Sequence, residues 1–336
     1  MKLRGESWPV FGWIDDMRLV LARARQRNRS VALATIVALD GSAPRQLGTQ
    51  MVFDGAEASG HFSGGCIEAD IANHAATVVA SGEPALLKYG PKSPWIDIRL
   101  ACGAGIEILV ECIRPDDAAI ASLLALTSSR CPVCWTSNGQ SRTANPDEGK
   151  SRLAFTREPL CLTMTYEPTW RLVVIGGDPT ALAIAQLASQ SGIETILLCP
   201  GGPEAPPPID CADYRRGEAN VELEAIALDP WTALAIAIHE PEIEHRILLA
   251  SLPSDAGYVG VLGAAARVPE RQSRLTQAGL SPAQIGRMHA PMGLATCGKS
   301  PWEVAVSVIA EILHVRATRQ FASDHIEARA LSETSQ

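Results

Sequence analysis

Leu172-Val173-Val174-Ile175-Gly176-Gly177-Asp178-Pro179-Thr180-Ala181 decides the fold of the second half of the chain. Four apolar residues make a strand short enough to be fully buried, a glycine pair turns the chain, and Asp-Pro opens a helix that runs to Ser191 and stops at Gly192. A second strand, Thr195 to Cys199, completes one βαβ unit. The alternation continues through Glu222 to Ala227, Trp231 to His239, Arg246 to Ala250, Tyr258 to Leu262 and Pro269 to Ala278, the pattern of a Rossmann-like doubly wound parallel sheet. Ser300, Pro301 and Glu303 then form an S-x-x-E capping box for a last helix whose buried stripe is Val304, Val308, Ile312 and Val315.

The turn at Gly176 stands where a dinucleotide fingerprint belongs, and it matches only in part. Gly176 can make the tight turn and Ala181 can pack helix on strand, but Asp178 replaces the glycine that lets a pyrophosphate approach. An Asp-Pro step is a good helix cap, so the chain supplies its own anion where a phosphate would sit. The second strand ends in Cys199-Pro200-Gly201 and carries no acidic residue for a ribose. NAD(P) is therefore not the expected ligand, and an NAD(P)-dependent oxidoreductase is the alternative.

Upstream lies a mixed α/β region. Ile14, Met17, Val20, Leu21 and Ala24 recur at helical spacing, Val31 to Leu39 and Gln50 to Phe53 read as strands, and Ile67, Ile71, Ala75 and Val78 line a helix ending near Gly82. Ile106 to Ile113, Asp116 to Leu126 and Cys131 to Trp135 read as strand, helix and strand, and Leu160 to Thr165 as a strand returning to the first sheet. The expected domains are 1–168, with 138–152 a loop or linker, then 169–322, then a loosely ordered tail over 323–336.

Two turn-rich stretches of the first domain invite chemistry. In Gly41-Ser42-Ala43-Pro44-Arg45 the Ser42 hydroxyl and the Arg45 guanidinium can meet an anion. Ser63-Gly64-Gly65-Cys66 runs into a helix start, where bare amides and the helix dipole favour negative charge and a thiolate at Cys66. Two tight turns and a surface arginine are the equally weighted plain reading. Cys102-Gly103-Ala104-Gly105 is a third glycine turn carrying a thiol. Cys131-Pro132-Val133-Cys134 has no second ligand pair, and no H-E-x-x-H or G-x-S-x-G is present.

Composition narrows the classes further. With 29 basic and 37 acidic residues in 336, the net charge of -8 argues against nucleic acid. No apolar run reaches the roughly 18 residues of a membrane span. The charged opening segment and nine cysteines, an odd number, fit a cytoplasmic protein with reduced thiols.

Gly41-Ser42-Ala43-Pro44-Arg45, Gly48, Met51, Ser63 to Glu68 and Cys102-Gly103 together resemble the N-terminal pattern of the XdhC/CoxI family. Tyr258 to Gly263, Pro291-Met292-Gly293-Leu294 and Ser300 to Glu311 resemble its C-terminal half. The resemblance implies a cytosolic chaperone that holds the molybdenum cofactor, as molybdopterin or its cytosine dinucleotide form. It also implies cooperation with a cysteine desulfurase to favour the sulfurated form, and delivery to a xanthine dehydrogenase-like or aldehyde-oxidising apoenzyme, a molybdenum hydroxylase.

On that resemblance Ser42, Arg45, Gly64, Gly65, Cys66, Glu68, Cys102 and Gly103 are the cofactor-binding candidates, with Cys66 at the metal end, and Gly263, Gly293 and Leu294 are those of the second domain. The chain departs from the family, which opens its C-terminal domain with Gly-Ala-Gly-His and has serine after the glycine where Ala264 follows Gly263. A scaffold that docks an apoenzyme without binding cofactor is the third reading. A homodimer stays open at this point.

Overall fold

The computed structural model describes residues 15–41, 43–55, 57–63, 65, 67–90, 105–147, 153–211, 213–294 and 298–333, with 319–333 as backbone alone. Internal contacts divide the chain into two compact units, up to Pro168 and from Thr169.

In the first unit helix α1 (Arg18–Gln26) leads into strands β1 (Val31–Asp40), β2 (Gln50–Asp54) and β3 (Glu57–Ser59), then helix α2 (Glu68–Ser81), β4 (Ala85–Tyr89) and β5 (Gly105–Ile113). These strands form an antiparallel sheet in the order β3-β2-β1-β5-β4. Both faces of β1 are covered, which explains its run of seven buried residues in place of a polar alternation. Ala32, Ala34 and Ile36 face α2 through Ile71, Ala75 and Val78. Val31, Leu33 and Val37 face α1, helix α3 (Ala118–Ser128) and a second sheet.

That second sheet corrects two expectations. Leu160 to Thr165 does not return to the first sheet: as β9 (Leu160–Tyr166) it pairs between β6 (Val133–Ser137) and β8 (Leu153–Arg157). Its alternate residues Leu162, Met164 and Tyr166 are buried with Trp135, so the strand buries one face against the first sheet and does not extend it. Within 138–152, β7 (Arg142–Pro146) is an edge strand paired to β6 from Ser137↔Arg142 to Val133↔Pro146. Its composition is that of a loop, and backbone pairing beyond the Asn138 turn, where Oδ1 accepts from Gln140 and Ser141 amides, makes it a strand.

The second unit runs β10 (Arg171–Ile175), α4 (Pro179–Gln190), β11 (Glu194–Leu198), β12 (Asp213–Arg215), α5 (Ala219–Ile226), β13 (Thr232–Ile236), α6 (Pro241–Ser251), β14 (Tyr258–Val261), α7 (Val268–Gln277), α8 (Pro282–Ile285), β15 (Met288–His289) and α9 (Pro301–Glu333). All pairings are parallel, in the order β12-β11-β10-β13-β14-β15. This is the Rossmann order, which reverses direction between β10 and β13. Alternate residues of β10 separate two cores: Leu172 and Val174 face α4 and α9, while Val173 and Ile175 face α5 and α6.

Helix α9 starts on the expected box, with the Ser300 amide donating to Glu303 Oε2 at 3.0 Å and the Glu303 amide to Ser300 Oγ at 3.4 Å. It continues to Glu333, through the stretch expected as a loose tail. No glycine or proline follows Pro301, and Ala is the commonest residue after it, so no helix breaker stops it.

Candidate functional site

At one end of the first sheet β1 stops at Asp40, which pairs with Gly105, and β4 ends at Tyr89, which pairs with Ile106. The Tyr89 hydroxyl donates to Asp70 Oδ2 in the first turn of α2 at 2.7 Å. The Gly41 to Gly48 loop therefore leaves from the same end of the sheet at which α2 begins. Ser42, Gly64, Cys66, Cys102 and Gly103 lie outside the described residues; Arg45, Gly65 and Glu68 are described.

The amides expected to greet an external anion are turned onto one of the chain's own. Glu68 Oε1 accepts from the amides of Phe62 (3.0 Å) and Ser63 (2.7 Å), and Oε2 from Ser63 Oγ (2.8 Å), Gly65 N (2.9 Å) and Ile67 N (3.2 Å). Gly65 sits at φ +115°, a conformation that glycine enters without strain. Burial alone would raise the Glu68 carboxyl, but the hydrogen bonds from Ser63 and Phe62 outweigh it and hold the group below the ordinary carboxylate range. Glu68 is thus an internal anion that shapes this loop, and Gly65 serves it with its amide.

Arg45 is held differently. Its Nη2 donates to Asp15 just ahead of α1, while its buried Nε has no hydrogen-bond partner among the described residues. Asp15 is 69% exposed and the Arg45 side chain 23%. Hydrogen bonds to a charged acceptor contribute about 1.5–3 kcal/mol each, whereas an exposed ion pair contributes about 0–1 kcal/mol. Glu68 is therefore fixed, and Asp15 is easily displaced from Arg45.

At the far end of α2 a cleft of about 410 Å³ opens beside Gly82, Cys112, Arg114 and Arg142. Among the described residues, none of the cofactor-binding candidates lines it. Cys131 and Cys134 are both free thiols, and among the described residues no cluster of three His, Cys, Asp or Glu could hold a metal.

In the second unit the sheet reverses between β10 and β13, and the chain fills that crevice itself. Asp178 caps α4, accepting the Ala181 amide on Oδ1 at 2.8 Å, and its Oδ2 lies 3.4 Å from His239 Nε2 beyond β13. Gly176, at φ +147°, passes so close to β13 that a Cβ would strike the Ala237 carbonyl oxygen. A Cβ on Gly177 would lie 2.6 Å from Cys199 Sγ. Burial, with Glu240 adding, pushes the Cys199 thiol up and keeps it protonated. The crevice of a Rossmann sheet is present, but its phosphate position holds a carboxylate.

Two family models account for much of the chain: one described as the XdhC and CoxI family matches residues 24–90, and one described as the XdhC Rossmann domain matches 172–312. The chain belongs to the XdhC and CoxI family. Within it, the chain is 28% identical over 306 residues to the molybdenum cofactor insertion chaperone PaoD of Escherichia coli (strain K12), covering 90% of this chain and 89% of that one. It is 26% identical over 341 residues to a probable xanthine dehydrogenase subunit of Bacillus subtilis (strain 168), covering 90% and 98%. A crystal structure of a xanthine dehydrogenase from Bacillus halodurans shares the fold, with TM-score 0.73 and 22% identity over 90% of this chain and 96% of that one.

The second-unit residues marked by the XdhC/CoxI resemblance have packing roles. Gly263, at φ +137°, leaves room for Arg271, whose Nη2 would be 2.9 Å from a Cβ there and which donates to Leu262 O and forks onto Glu244 at 2.6 and 2.8 Å. The Gly293 amide donates to Glu311 Oε2 at 2.6 Å, and the Leu294 carbonyl accepts from Ser307 Oγ at 2.9 Å, which fastens this turn to α9.

Glu311 also accepts from the Tyr258 hydroxyl at 2.6 Å and lies 3.1 Å from His289 Nδ1. Burial would raise its carboxyl, but His289, Tyr258 and the Gly293 amide together hold it low. In the sequence Tyr258, Gly293 and Glu311 stand within three separate motifs, and their meeting at one carboxylate has no signal in spacing. Asp15 is likewise unmarked in the sequence.

Proposed function

We propose that this protein is a maturation chaperone that binds the molybdenum cofactor and inserts it into a xanthine dehydrogenase- or aldehyde oxidoreductase-type apoenzyme. The observation that carries this reading is the similarity to a molybdenum cofactor insertion chaperone along 90% of the chain. The first unit takes the cargo. Arg45 pairs with the phosphate that terminates or links the cofactor, Ser42 assists on the same loop, and Cys66 meets the molybdenum end as a soft thiolate ligand. Gly64, Cys102 and Gly103 belong to the same cargo surface, and Glu68 with Gly65 sets the loop that carries Cys66.

Cooperation with a cysteine desulfurase, protection of the sulfurated cofactor, a cytoplasmic location and a homodimer are parts of the same reading. Among the described residues no helix is long and apolar enough to cross a membrane. The Rossmann unit serves as scaffold and docking surface, because Asp178 at the phosphate position repels a dinucleotide. Incubation of the cofactor-loaded protein with a cofactor-free molybdenum hydroxylase should restore activity of that enzyme. Robust hydride transfer by the protein with NAD(H) or NADP(H) would favour the oxidoreductase instead, and docking without any pterin transfer would favour a scaffold.

A further inference from the structure

The two anion-binding devices of the first unit are both engaged by carboxylates of the chain, and they differ in how tightly. Glu68 is 2% exposed and held by the amides of Phe62, Ser63, Gly65 and Ile67 together with the Ser63 hydroxyl. Displacing it would strand four amides at once. Among the described residues Asp15 reaches Arg45 alone, through one guanidinium nitrogen, from a position mostly in solvent. The partners of the two carboxylates decide which site can exchange its anion.

We propose that Asp15 is an internal stand-in for the cargo's phosphoryl group: it occupies Arg45 until a phosphoryl anion displaces it, while Glu68 keeps its amides whether or not cargo is bound. This rests on the reading of Arg45 as the cargo's cation. A phosphoryl oxygen pair matches the guanidinium fork and carries more charge than one carboxylate, so it wins the exchange. Asp15 meanwhile keeps Arg45 oriented and screens it from stray anions. The competition weakens apparent affinity by the strength of one exposed pair, a factor of about two to five.

The test uses the full chain as wild type, Asp15→Asn and Arg45→Ala, with inorganic pyrophosphate as the probe in calorimetry and the pterin that copurifies as the second readout. Asp15→Asn should bind pyrophosphate about two- to fivefold more tightly and carry at least as much pterin, and Arg45→Ala should lose both. If Arg45→Ala loses pterin but Asp15→Asn binds pyrophosphate no more tightly than wild type, the stand-in role is overturned and the cargo reading survives. Should Arg45→Ala keep its full pterin load, the reading of Arg45 itself fails. Pyrophosphate binding that survives Arg45→Ala lies elsewhere and counts against the proposal.

Discussion

The Gly65 amide donates to Glu68 Oε2 across 2.9 Å, so the glycine loop ahead of α2 is closed on a carboxylate three residues further along. That carboxylate accepts from four amides and a hydroxyl, and replacing it has a calculable consequence. Glu68→Gln turns an NH2 toward amide donors and should lower stability by about 2–4 kcal/mol, measured by urea unfolding at neutral pH. A change below about 0.5 kcal/mol would mean that the nest is not tight.

The same residue sets an acid limit. Its carboxyl is held low in the folded protein, so its stabilisation is present above the unfolded value of about 4.3 and fades as pH falls through the lower folded value. The gap in stability between wild type and Glu68→Gln should therefore narrow on acidification, as followed by unfolding at a series of pH values. A gap that widens in acid would contradict the sign.

Asp178 acts as a cap, with Oδ1 on the Ala181 amide. Asp178→Ala should cost about 1 kcal/mol, and Asp178→Asn, an equally good cap, should cost a few tenths at most. Equal losses in thermal melts of the two variants would show that the charge, through His239, matters more than the cap.

Gly176 has no room for a side chain against the Ala237 carbonyl. Gly176→Ala should destabilise the Rossmann unit by roughly 3 kcal/mol or more through strain between β10 and β13. An alanine variant with a wild-type melting temperature would refute that close approach.

Glu311 fastens Gly293 to α9 and receives the Tyr258 hydroxyl. Glu311→Ala should speed hydrogen exchange at the Gly293 amide and cost about 1–3 kcal/mol, since it leaves buried donors unpaired. Unchanged exchange at Gly293 would assign the turn's order to Ser307 alone.

Most of the Rossmann half was legible because its main elements announce themselves locally, with the apolar run at Leu172, the Asp-Pro cap and the Ser300 box all acting within a few residues, whereas the short β12, α8 and β15 were not read from the sequence. The second sheet of the first unit was not. β7 is a strand by virtue of its partner β6, and β9 joins that sheet and not the first because of where its buried face lies, which no periodicity states. The glycine loop at Gly65 read equally as a site for an external anion and as a tight turn, and its described amides are turned onto the chain's own Glu68. That Glu68 fills it depends on a side chain folding back over its own helix start, and that Asp15 reaches Arg45 depends on contact across thirty positions of sequence.

The central claim is that Arg45 and its loop carry a phosphate-bearing molybdenum pterin. Mass analysis of the ligand extracted from protein made in a cofactor-producing cell tests it most directly, with Arg45→Ala prepared in parallel. The wild type should yield a molybdopterin-class pterin and Arg45→Ala only a small fraction of it at an unchanged melting temperature. A wild type that carries no pterin, or a variant that carries as much, would contradict the account.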